Sequence, residues 1–190
     1  MKPQRVNKKR DEYFAYGSVL EAVSQGLYPD RKHILREFVQ NAHDALYDLR
    51  KQRSRMRLAP VEITASPPSL IIADKGIGMS KATMRRYRYL GFSPKEMGSH
   101  AGFRGIGKFS GISVCDRLIV RSSKLGDPKS YQVEIDASGM FARLKDEKNP
   151  PLEILLADHS KIEETDEDPE QHYTFVARVG ATARTLTQYI

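Results

Sequence analysis

Between residues 31 and 50 the apolar positions recur at helical spacing and keep to one side. At 100° per residue, Leu35, Phe38, Ala42, Ala45, Leu46 and Leu49 gather together, while Glu37, Asn41 and Asp44 form a narrow opposite stripe. The spacing predicts a helix with one face for a core and one for chemistry. Asp30 is placed to cap its start, and Arg50 and Lys51 fall in the last turns, where the helix dipole favours cations. A shorter helix is expected over Tyr16–Gln25, closed by Gly26, with Leu27-Tyr28-Pro29-Asp30 turning the chain into the long helix. After Arg50 the segment KQRSRMRLAP reads as a frayed helix end and a loop.

The period then shortens. Val61–Ser66 and Leu70–Asp74 read as strands joined by Pro67-Pro68-Ser69 into an antiparallel hairpin, the second apolar throughout, as a central strand covered by helices would be. Ser80 is placed to cap a helix through Met84 to Leu90, stopped by Gly91, and residues 91–101 read as a loop. A helix is expected over Gly107–Val114. Strands are expected over Arg117–Ser123, Ser130–Asp136, Met140–Leu144, about Leu152–Leu156, and His172–Val179, with the acidic stretch between the last two as loop. This order predicts an α/β (α+β) two-layer sandwich: a mostly antiparallel sheet with helices on one face. The domain is expected over residues 16–180, after a polar tail at 1–15. Residues 181–190 would open a linker or next segment, making the chain the N-terminal fragment of a longer protein.

Composition narrows the class of partner. The net charge of +7 over 190 residues asks for an anionic one. Basic residues bunch at Lys2–Arg10, at Arg50–Arg57 and at Arg85, Arg86 and Arg88, against an acidic Glu163–Glu170. Such runs are more often solvated faces than nucleic-acid contacts, so nucleic acid is possible but not favoured. No apolar run is long enough to span a bilayer, the basic N-terminus lacks the apolar stretch of a signal peptide, and Cys115 is alone. A cytoplasmic protein without membrane contact is expected.

Two further stretches carry chemistry. Ile71-Ile72-Ala73-Asp74-Lys75-Gly76-Ile77-Gly78-Met79 reads as a buried strand delivering one carboxylate into a glycine turn. Gly102-Phe103-Arg104-Gly105-Ile106-Gly107-Lys108-Phe109-Ser110 is a glycine-rich loop running into a helix, an arrangement that binds anions through backbone N–H groups. There is no G-x-x-x-x-G-K-[ST], so it is not a P-loop.

The order E-x-x-x-N-A-x-D-A, D-x-G-x-G, G-x-x-G-x-G resembles the nucleotide-binding motifs of the ATPase superfamily shared by gyrase, the ninety-kilodalton heat-shock chaperone, histidine kinases and MutL, whose domain is the Bergerat-type ATP-binding fold. The resemblance runs from about Tyr16 to Val179. It is nearest the chaperone's N-terminal domain, through Leu35-Arg36-Glu37, Ile77-Gly78-Met79 and Leu90-Gly91 with Lys95, whereas Gly102-Phe103-Arg104-Gly105 is reminiscent of MutL. It implies that ATP or ADP binds with Mg2+. Asp74 would accept a hydrogen bond from the adenine amine, with Thr174 bonding the ring side directly or through a water. Gly76 and Gly78 would let the backbone approach the base, and Met79 would pack on it. Asn41 would be the magnesium ligand, and Asp44 would hold a water to adenine or cap the neighbouring loop. The N–H groups of Gly102, Phe103, Arg104, Gly105, Ile106 and Gly107 would hold the phosphates. Lys108 would reach a phosphate or point to solvent, and Lys95 is the better match to the family's lid lysine. Glu37 would act as general base or water-positioning group, which argues for hydrolysis over phosphotransfer. His43 and His33 have no metal-ligand companion. The lid between Met79 and Gly102 is short for the chaperone, and Arg88-Tyr89 stand where that family commonly has asparagines.

The implied function is a slow, lid-gated ATPase switch of chaperone type, with downstream domains and an ATP-dependent homodimer as further expected partners. The alternative is the ATPase domain of a MutL- or gyrase-like DNA-associated protein. A histidine kinase would need a phosphoacceptor hairpin for which only about thirty residues are present upstream. An inactive nucleotide-binding module is the fourth reading.

Overall fold

The computed structural model describes residues 17–20, 22, 32–87, 111–112, 115–146 and 149–180. The expected tail, the cap at Asp30, the lid with Lys95 and the loop Gly102–Lys108 lie outside these residues, as do residues 181–190 and most of the helices expected at Tyr16–Gln25 and Gly107–Val114. Helical backbone is present at 18–20 and 22.

The long amphipathic helix forms as α1, Lys32–Gln52, and buries Ile34, Phe38, Ala42, Leu46 and Leu49. The hairpin follows as β1 (Glu62–Ser66) and β2 (Ser69–Asp74), paired antiparallel from Glu62↔Ala73 to Ser66↔Ser69. Helix α2, Lys81–Tyr87, starts at Ser80, whose Oγ accepts from the Thr83 amide at 3.3 Å. Strands β3 (Arg117–Ser123) and β4 (Lys129–Asp136) come next, then helices α3 (Ala137–Asp146) and α4 (Leu152–Asp158), then β5 (Ser160–Asp166) and β6 (Tyr173–Val179). The six strands form one sheet in the order β1-β2-β6-β3-β4-β5, each neighbouring pair antiparallel.

Alternation decides which face is covered. Leu70 and Ile72 of β2, Leu118 and Val120 of β3, Val133 and Ile135 of β4 and Val176 of β6 point to one side. There they share a core with Phe38 and Ala42 of α1, Met84 of α2, Met140 of α3 and Leu155 of α4. This is the two-layer sandwich. Strand β2 is interior to the sheet but buried on alternate residues only, so its second face is not covered by a helix among the described residues.

Three assignments are corrected. Met140–Leu144 is helical: over the wider window Ala137, Met140, Phe141 and Leu144 repeat at i, i+3, i+4, i+7, and Asp136 Oδ1 accepts from the Gly139 amide at 3.0 Å, capping the first turn. Leu152–Leu156 is helical as well; Leu152, Leu155 and Leu156 are buried, Ile154 is exposed, and Pro151 stands at the N-cap. The acidic stretch includes a strand. In β5 only Ile162 packs against the core, so alternation gives no signal, and the strand is held by pairing along β4 and by Lys161–Glu134 at 3.3 Å and Lys81–Glu164 at 2.5 Å.

Candidate functional site

The core-facing row nearest the C-terminal end of β2 is polar, where the adjacent row, Ile72, Val176, Val120 and Val133, is apolar. In register across the sheet it runs Asp74, Thr174, Ser122, Tyr131. Asp74 is 5% exposed, and burial pushes its carboxyl up to about 7, opposed in part by the Gly76 N–H that donates to Oδ1 at 2.8 Å. A carboxylate held this far from water at the end of an interior strand works against stability, which marks it as serving something else.

The turn after Asp74 is fixed on all sides. The Gly76 carbonyl accepts from His172 Nδ1 at 2.8 Å; since a carbonyl only accepts, Nδ1 carries the proton. The Ile77 amide donates to the Ala45 carbonyl of α1 at 3.1 Å, and the Ile77 carbonyl accepts from the Leu125 amide beyond β3, also at 3.1 Å. A Cβ on Gly76 would lie 2.5 Å from Ala45 Cβ. Gly78 has φ +71°, and a Cβ there would fall onto the Ser123 carbonyl oxygen. The space these glycines leave is therefore taken by α1 and the end of β3. Gly78→Ala combines a left-handed backbone with a clash against main chain, and is expected to cost more than about 3 kcal/mol, read as a lowered denaturant midpoint.

Helix α1 passes beside this turn. Asp44, 6% exposed, accepts from Gln40 Nε2 at 3.2 Å, while its neighbour His43 points outward with 71% of its side chain accessible. Asn41 and Glu37, each partly buried, follow at one-turn intervals toward the helix start. The polar stripe is thus not a solvated face. From Ala45, which touches the glycine turn, to Glu37 the helix rises about 12 Å. Base end and far end of an extended ligand would be separated in the same sense.

The strand register and the turn bonds join Asp74, Gly76, Gly78, Met79 and Thr174, and the Ile77–Ala45 bond sets this group beside α1, on which Asp44, Asn41 and Glu37 follow. Lys95 and Gly102–Lys108 are outside the described residues. Sequence reasoning missed Ser122 and His172. Ser122 was signalled by position, since it continues the inward-facing series Leu118, Val120 in β3. His172, directly before β6, gave no periodic signal. A cleft of about 460 Å3, with Ala73, Phe175, Arg121 and Gln132 of the opposite sheet face in its lining, also reaches Asp74 and Thr174 at the sheet end.

A family model described as histidine kinase-, DNA gyrase B-, and HSP90-like ATPase matches residues 31–174, spanning α1, the glycine turn and Thr174. The chain belongs to this ATPase family. Within the family it is of the Hsp90-like N-terminal type, similar to curated HtpG proteins. Chaperone protein HtpG of Methylorubrum extorquens (strain PA1) is 30% identical over 198 residues, covering 86% of this chain and 30% of the relative. That of Orientia tsutsugamushi (strain Boryong) is 31% identical over 147 residues, 66% of this chain and 23% of the relative. That of Mycobacterium avium (strain 104) is 24% identical over 199 residues, 90% and 31%. The chain spans less than a third of the length of these relatives.

An ATPase domain of this family binds ATP and ADP. Among the described residues no group of three His, Cys, Asp or Glu is arranged to hold a metal ion. A cation carried by phosphates and waters would need only a single protein contact, and the side-chain amide of Asn41 has the oxygen to supply one. No helix among the described residues is long and apolar enough to cross a membrane.

Proposed function

We propose that the chain is the ATP-binding and slowly ATP-hydrolysing domain of a chaperone-like ATPase, working as a lid-gated conformational switch. The observation that carries the reading is Asp74: a buried carboxylate, one oxygen held by the Gly76 amide, at the head of a turn docked on the helix that bears Asn41 and Glu37. An ionised Asp74 accepts from the exocyclic amine of adenine and meets the oxygen of guanine as a second acceptor, so adenine is selected.

The rest follows along α1. Asn41 would hold magnesium, which, when it arrives with the nucleotide, neutralises phosphate charge. Glu37, one turn further from the base, orients and deprotonates the attacking water. The N–H groups of Gly102–Gly107, with Lys95 and Lys108, hold the phosphates from the loop and lid. Nucleotide closes the lid, the closed state pairs with a second copy or a downstream domain, and hydrolysis resets it. A cytoplasmic setting suits this role. Family members complete the phosphate site with a basic residue from a second domain, so this chain alone binds ATP or ADP but turns over slowly.

Calorimetric titration of ADP and of a non-hydrolysable ATP analogue, with and without magnesium, is expected to show one site per chain, with GTP binding at least about 100-fold weaker. Equal affinity for GTP would overturn the reading. The exposed Arg50, Arg55 and Arg57, none within ion-pair distance of a carboxylate among the described residues, favour one alternative, a MutL- or gyrase-like ATPase coupled to DNA. Duplex DNA binding that falls steeply between about 50 and 200 mM salt would select it.

A further inference from the structure

Ser122 is fully buried, with 0% exposure, between the glycine turn and the base-site threonine. Its Oγ stands within hydrogen-bond distance of three groups. The Met79 amide donates to it at 2.8 Å, it donates to the Tyr173 carbonyl at 2.7 Å, and Thr174 Oγ1 lies 3.1 Å away. A serine hydroxyl has one proton and two lone pairs. The Tyr173 carbonyl only accepts, so it takes the proton, and the Met79 N–H occupies one lone pair. What remains for Thr174 is the other lone pair. Thr174 must therefore be the donor, and its single proton points at Ser122.

We propose that Ser122 is a positioning residue for base selectivity: by holding the Thr174 proton it makes Thr174, like ionised Asp74, present only acceptors to the bound base. The inference rests on reading Asp74 and Thr174 as the base site. Asp74↔Thr174 are register partners, so the two side chains leave the same face of the sheet side by side. A base edge carrying an amine satisfies such a surface. A water between Thr174 and a ring nitrogen fits only if it gives one proton to each. A 6-oxo base, with an acceptor where adenine has its amine, finds no donor on either residue. The selectivity is thus set by two residues in contact with the base and by a third that never touches it.

The test uses ATP and inosine triphosphate, which carry the same phosphates and differ at the 6-position of the base and in the protonation of the neighbouring ring nitrogen. Ser122→Ala releases the Thr174 proton, and the ratio of ATP to inosine triphosphate affinity is expected to fall at least about tenfold. In a Thr174→Val background, where no hydroxyl proton exists to redirect, the same Ser122→Ala change is expected to leave the ratio unmoved. A loss of packing or stability would lower both affinities together and would not vanish with Thr174. Should Ser122→Ala fail to fold, Ser122→Cys keeps a weak donor and acceptor there, and an intermediate ratio is expected. An unchanged ratio in the folded Ser122 variant, while Asp74→Asn abolishes ATP binding, overturns the inference and leaves the base site standing. ATP binding untouched by Asp74→Asn overturns the base site, and the inference with it.

Discussion

Asp74→Asn is expected to do two opposite things at once: reduce affinity for adenine nucleotides at least about 100-fold, and make the protein more stable at pH 8. The first effect follows from the amide. Asn keeps an oxygen for the Gly76 N–H, which leaves its NH2 group facing the adenine amine, donor against donor. The second follows from burial. In the folded chain the carboxyl is pushed up to about 7 from an ordinary 3.8, so the folded state binds the proton more tightly than the unfolded state does. The stability contributed by that proton is fully present below about pH 4. It is lost as pH rises through 7, above which the penalty is constant. Ionising a carboxyl so displaced costs the fold on the order of 4 kcal/mol at most, and removing the ionisable group restores much of it. A melting temperature higher by roughly 5–10 °C at pH 8, with little difference from wild type at pH 4, is the expected result by thermal unfolding. The same titration predicts that wild-type discrimination of ATP from GTP narrows about tenfold between pH 8 and pH 6, because protonated Asp74 can donate to the guanine oxygen. Phosphate titration cancels in the ratio. A variant that loses both binding and stability would mean that Asp74 is a structural capping residue.

Glu37→Ala is expected to lower phosphate release at least about 100-fold while leaving ADP affinity within about threefold. Glu37 lies two turns along α1 from Ala45, the point at which that helix meets the glycine turn, so the base end of the site is untouched. The carboxylate would face the terminal phosphate, and its removal should tighten a non-hydrolysable ATP analogue more than ADP, by relief of like-charge repulsion. Glu37→Gln should behave as Glu37→Ala does in turnover, since an amide keeps the shape but not the basicity. Unchanged turnover in both variants would select the inactive nucleotide-binding module.

The parts of this protein legible in the sequence are those in which one residue type answers one physical demand. The α1 stripe, the hairpin, and β3, β4 and β6 follow from periodicity, and Asp74-Lys75-Gly76-Ile77-Gly78 declared a turn through its glycines. The roles of those glycines were legible only in part. The structure shows Gly76 against Ala45 and Gly78 against Ser123, a packing demand between distant elements that spacing along the chain does not encode. Helices α3 and α4 were hidden because five-residue windows of Met140–Leu144 and Leu152–Leu156 fit both periods. Strand β5 was hidden because an edge strand held by backbone pairing and surface charges has no need to alternate. Ser122 escaped because its role is the direction of a proton, which emerges only when three partners are placed around it.

The peptide run through Ala45, Ile77 and Leu125 has a dynamical consequence. The Ile77 amide and carbonyl are both engaged, one with the helix and the other with the segment after β3, and the Gly126 amide continues the run to the Pro169 carbonyl at 2.8 Å. With its amide bonded to the helix and its carbonyl to the loop, Ile77 ties the three segments together, so helix, turn and loop should breathe as one body. In hydrogen–deuterium exchange, Ile77 and Leu125 should share a single slow opening rate, equal in the empty and adenosine-bound states. The purine would then enter a seat already rigid, and any ordering that accompanies ATP would be confined to the phosphate end.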